Sequence, residues 1–79
     1  GNSTHDDSAS YADGDFIFFP DSFAGTPVVI ANAYDGTNPV IASAWGNGTG
    51  GFFIALKYYD DGTPVSNAQV QWIAVGPRP

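Results

Sequence analysis

Phe52-Phe53-Ile54-Ala55-Leu56-Lys57-Tyr58-Tyr59, followed at once by Asp60-Asp61-Gly62-Thr63-Pro64, is the stretch that decides the fold. Read with a period of two, one face carries Phe52, Ile54, Leu56 and Tyr58, and the other Phe53, Ala55, Lys57 and Tyr59. The Asp-Gly that follows tolerates the positive φ of a tight turn. Working outward, the same grammar recurs in the apolar runs Phe16–Phe19, Val28–Tyr34, Val40–Trp45 and Val70–Val75. Gly or Pro interrupts the chain between them at 24–27, 35–39 and 46–51. No run is long enough for an isolated helix. Five evenly spaced strands with such turns predict an antiparallel sandwich or barrel, with no helix longer than about a turn. Residues 15–79 form this β-domain. Residues 1–14, rich in Ser, Asp and Thr with Tyr11 as the only aromatic, read as a polar tail or a loosely attached first strand.

The last run sharpens the picture. Val70, Trp72 and Ala74 share one face, and Gln71, Ile73 and Val75 the other. The half-buried strand of a monomer alternates apolar with polar. Here the second face is largely apolar too, which predicts burial by a neighbouring subunit through Ile73, Val75 or Phe53. Size points the same way, because 79 residues bury little surface and the chain has no cysteine to staple it. Trp72 is the expected core anchor, surrounded by Phe19, Phe23, Val28, Phe52, Ile54 and Leu56.

Charge excludes several partners. Eight acidic residues, all Asp, face only Lys57 and Arg78, for a net charge of −6. Nucleic-acid binding needs clustered basic residues, and an anionic membrane would repel this chain. Every apolar run is strand-sized, so no segment reads as spanning a bilayer, and no stretch reads as a signal-peptide pattern. The polar opening from Gly1 reads as a fragment or a processed product. Such acidity fits either a salt-rich habitat or an ordinary acidic secreted domain. Catalysis has little to build on. The one histidine, His5, falls in the predicted tail, where a serine nucleophile would find no base. Asp60 and Asp61 are adjacent in a turn instead of facing each other across a cleft. The glycines of 46–51 join two strands and serve a turn, not a phosphate. Neither a cofactor nor a metal is expected.

Sugar binding has better material. A sugar offers hydroxyls to carboxylates and amides, and a C–H face to aromatic rings. Trp45, Tyr59, Asp60 and Asp61 supply both kinds of group at strand ends and are the candidate carbohydrate-binding residues. For Trp45 the competing role is packing, and for Asp61-Gly62 it is turn formation. Asn2-Ser3-Thr4 and Asn47-Gly48-Thr49 also fit the N-glycosylation pattern.

One pattern resembles a known family. In Ile17-Phe18-Phe19-Pro20-Asp21-Ser22-Phe23-Ala24-Gly25-Thr26-Pro27-Val28-Val29, Phe19, Phe23 and Pro27 are spaced by four and followed by valines. This resembles the opening of the H-type lectin domain. Thr49-Gly50-Gly51-Phe52-Phe53-Ile54 and Val70-Gln71-Trp72-Ile73-Ala74-Val75-Gly76 resemble two later strands of that family, in order, from Phe16 to Gly76. The resemblance implies a six-stranded antiparallel β-sandwich, a homotrimer, and carbohydrate recognition on an extracellular or virion surface. Snail and slime-mould agglutinins and viral tail-fibre tips carry such domains. The position of the family's galactose-gripping Arg falls on Pro39, and that of its aromatic-His pair on Asp60 and Asp61. Its N-terminal Asp corresponds to Asp6, Asp7 or Asp13. The scaffold is thus kept and the galactose reader replaced, by another sugar geometry or a cation bridging carboxylates to hydroxyls. Two functions remain open: a trimeric lectin-like recognition tip, or a module that trimerises or decorates a larger assembly without binding glycan.

Overall fold

The computed structural model describes residues 1–79 as six strands and no helix: β1 (Asn2–Tyr11), β2 (Phe16–Phe18), β3 (Val28–Asp35), β4 (Asn38–Trp45), β5 (Gly51–Tyr58) and β6 (Ala68–Pro77). All neighbours are antiparallel, in the order β1-β6-β3-β4-β5-β2, and form a single curled sheet, a half-barrel. Both Asp-Gly turns take the conformation expected of them, with φ of 59° at Gly36 and 73° at Gly62.

The curl follows from the pairing. The β3–β4 ladder holds three pairs beside the turn, Ala33–Val40 to Asp35–Asn38, whereas β3–β6 runs from Val28–Val75 to Tyr34–Gln69. A short ladder leaves the two halves of the sheet free to fold toward each other. Phe52 on β5 and Trp72 on β6 are three strands apart in the sheet, yet their ring centroids lie 5.4 Å apart, edge to face. Phe19 joins both rings from the β2–β3 connection, at 5.7 Å from each. Phe23 from that connection and Val65 from the β5–β6 connection close the same core.

The alternation read from the sequence holds on β5 and β6. Phe52, Ile54 and Leu56 are buried, as are Val70, Trp72 and Ala74, while Ile73 and Val75 face out. Val28 departs from the expected core and is 69% exposed. It pairs with outward-facing Val75, so its register puts it on the convex face.

Of the two readings of the N-terminal residues, a tail or a first strand, the strand holds, and it is firmly attached: β1 pairs with β6 over ten positions, from Asn2–Pro77 to Tyr11–Ala68. Its stability comes from backbone hydrogen bonds along the edge of β6, which would otherwise stand unpaired. His5 accordingly sits in a strand, with its ring 5.2 Å from that of Phe23. Just beyond β1, Asp13 fastens the chain to β5: its carboxylate accepts from the Leu56 amide at 2.8 Å and from Lys57 Nζ at 2.9 Å.

The convex face is unusually apolar. Phe16, Phe18, Val28, Ile30, Ile41, Trp45, Ile73 and Val75 are all exposed there, Phe18 by 77%.

Candidate functional site

At one end of the sheet the β3–β4 turn meets the chain leaving β5, because antiparallel pairing sets Val40 opposite Tyr58. The Tyr59 amide donates to the Pro39 carbonyl at 3.2 Å and locks the two loops together. Between them is a hollow of about 310 Å³ lined by Asn38, Pro39, Tyr58, Asp60, Asp61 and Thr63. Its wall is set by the turn: the Gly62 amide donates to the Tyr58 carbonyl at 2.8 Å, and the Tyr58 amide to the Thr63 carbonyl at 2.9 Å.

The acids of this hollow differ in role. Asp61 Oδ1 accepts from the Thr63 amide at 3.0 Å and from its hydroxyl at 2.8 Å. These bonds, the amide first, hold the Asp61 carboxyl below the usual carboxylate range. One oxygen of Asp61 is therefore committed to the turn. Asp60 makes no side-chain hydrogen bond within the chain, and neither does Asn38, so both are free to meet ligand hydroxyls. The Tyr58 hydroxyl donates to Asp35 Oδ2 at 2.6 Å, which together with partial desolvation raises its pKa above the ordinary phenol value. Tyr58 is thus a fixed, neutral ring on the hollow's wall.

Of the residues singled out from sequence, Asp60 and Asp61 come together here. Tyr59 lies beside the hollow, 70% exposed, but does not line it. Trp45 is elsewhere. It ends β4 six residues beyond Pro39, roughly 20 Å along the strand. There its ring stacks on Phe53 at 4.7 Å, and Phe53 meets Phe16 edge to face at 4.9 Å. The expectation that Trp45 assists Asp60 and Asp61 is corrected accordingly, since a hairpin puts the two ends of one strand at opposite ends of the sheet.

The sequence reading missed Asn38, Tyr58 and Thr63. Tyr58 shares the face of Phe52, Ile54 and Leu56 and packs partly buried against the core; its place as the last residue of β5, beside the Asp35–Asn38 turn, is the signal that it also lines the hollow. Among the N-terminal acids, Asp13 is consumed by Lys57 and Leu56. Asp6 lines a shallow trough on the convex face with Ser8, Asn32, Gln71, Ile30 and Ile73, and Asp7 borders the same trough. No three acidic or histidine side chains converge on one point. A cation held at the hollow would rely on Asp60 and Asp61 alone among charged ligands.

Comparison with protein-family models and with curated proteins gives no match to this chain.

Proposed function

We propose that this domain is a carbohydrate-binding recognition module of the H-type lectin kind, a six-stranded β-sandwich that works as a homotrimer on an extracellular or virion surface. The receptor-binding tip of a viral tail fibre, or an adhesin, is the setting that suits it. The observation that carries this reading is the hollow at Asn38, Tyr58, Asp60, Asp61 and Thr63. It offers an amide, a hydroxyl and unengaged carboxylate oxygens around an aromatic wall, the complement of a sugar's hydroxyl rim and C–H face. Its two carboxylates come from adjacent turn residues instead of flanking a ligand from opposite sides, which supports binding over glycoside hydrolysis.

A second reading, a structural module that trimerises or decorates a larger assembly, is favoured by the exposed apolar residues of the convex face. A glycan array probed with the wild type, Asp60→Ala and Asn38→Ala separates the two. The lectin reading expects wild-type binding to one glycan class, weakened about tenfold or more in both variants. Failure of the folded wild type to bind any glycan supports the structural module. Unchanged binding in both variants moves the sugar site to another surface, the trough at Asp6, Ser8 and Asn32 being next in line.

A further inference from the structure

We propose that the opposite end of the sheet carries a second binding site, specific for an acidic sugar residue, with Arg78 as its carboxylate anchor. There the start of β1, the end of β6 and the Pro20–Ala24 connection surround a hollow of about 580 Å³ lined by Ser3, His5, Asp21, Ser22, Arg78 and Pro79. Its walls are tied by backbone hydrogen bonds. The Arg78 amide donates to the Gly1 carbonyl at 3.0 Å, the Ala24 amide to the Pro77 carbonyl at 3.0 Å, and the Phe23 amide to the Thr49 carbonyl at 2.9 Å. The His5 ring is braced by Phe23 at 5.2 Å and Phe19 at 6.4 Å.

Within these walls the polar groups are uncommitted. Arg78 Nε donates to the Asn2 carbonyl at 3.1 Å, which orients the guanidinium and leaves both terminal NH₂ groups without an acceptor in the chain. Lys57 is paired with Asp13 in the single ion pair of the molecule, so Arg78 is the one side-chain cation left unpaired. Asp21 shares the hollow with Arg78 but lies outside ion-pair distance of it.

A guanidinium fork takes a carboxylate through two parallel hydrogen bonds, and an unpaired carboxylate takes hydroxyls. A simple anion satisfies only Arg78 and leaves Asp21 and the serines without partners. A neutral sugar satisfies only Asp21 and the serines. A sugar acid meets both needs, with its carboxylate on Arg78 and its ring hydroxyls on Asp21 and Ser22. This site is independent of the hollow at Asp60, at the other end of β6.

The test is an amide NMR titration of the whole chain with sodium glucuronate, with glucose and sodium acetate as controls, on the wild type, Arg78→Gln and Asp60→Ala. Glucuronate is expected to shift the amides of Ser3, His5, Ser22 and Arg78 saturably. Glucose and acetate are expected to be weaker by about tenfold or more. Arg78→Gln, shown to be folded by its own spectrum, loses this binding, and Asp60→Ala keeps it. The inference is overturned if glucuronate fails to bind, if acetate binds equally well, if Arg78→Gln binds like the wild type, or if the shifts fall around Tyr58 and Asp60. Since neutral-glycan binding depends on Asp60 and Asn38, failure of either proposal leaves the other standing.

Discussion

Replacing Trp72 by Ala and by Phe tests how the core is held together. Trp72 is 5% exposed and touches both Phe52 and Phe19. Truncation to Ala removes the whole ring and should cost about 3–5 kcal/mol. A domain of this length has a total stability of roughly 4–12 kcal/mol, so Trp72→Ala unfolds much of the population or lowers Tm by roughly 12–40 °C. Trp72→Phe behaves differently because the indole Nε1 is buried with no hydrogen-bond partner in the chain. Leaving that donor unsatisfied costs about 1–3 kcal/mol, which Phe relieves while giving up part of the ring contact. The two terms oppose, so Trp72→Phe should fall within about 1 kcal/mol of the wild type. Urea unfolding followed by far-UV circular dichroism measures both, and exposed Trp45 remains as a fluorescent reporter. Equal losses in Trp72→Phe and Trp72→Ala would refute the unsatisfied indole. Wild-type stability in Trp72→Ala would refute the register of β6.

Gly51→Ala should cost at least about 2 kcal/mol in the same assay, because the added methyl would overlap the Ile17 carbonyl oxygen and come within 2.5 Å of the Phe16 ring. A neutral result would mean that β2 does not pair with β5 there. Asp13→Asn tests a pH dependence. Its carboxyl is held low, first by the hydrogen bond from Lys57 and then by that from the Leu56 amide. A depressed folded-state pKa gives stability that is complete above the unfolded value of about 3.9 and is lost as pH falls through the folded value. The stability gap between wild type and Asp13→Asn should therefore be constant near neutrality and close in acid; a gap that persists at low pH would assign it to another cause. If the domain is the proposed trimer, Ile73→Asp should dissociate it by burying an unpaired charge, as sedimentation velocity will report. A wild type that sediments as a stable monomer at micromolar concentration would remove the trimer from the proposal.

What the sequence determined by itself is whatever depends on neighbours along the chain. The period of two in Phe52–Tyr59 and Val70–Val75 assigned the core faces, and the Asp-Gly pairs marked two turns, since side-chain alternation and positive φ are local properties. The tertiary structure alone decided three other matters. Asn2–Tyr11 is a strand only because β6 offers it a long unpaired edge, and no hydrophobic pattern records that. Val28 faces out because its pairing with Val75 sets its register, although its own composition suits either face equally. The candidate hollow exists because antiparallel pairing brings Asn38 to Asp60 and Thr63 while carrying Trp45 to the far end of β4. Which loops share an end of a sheet is fixed by strand order and register, and those are set by long-range backbone pairing that a linear pattern does not encode.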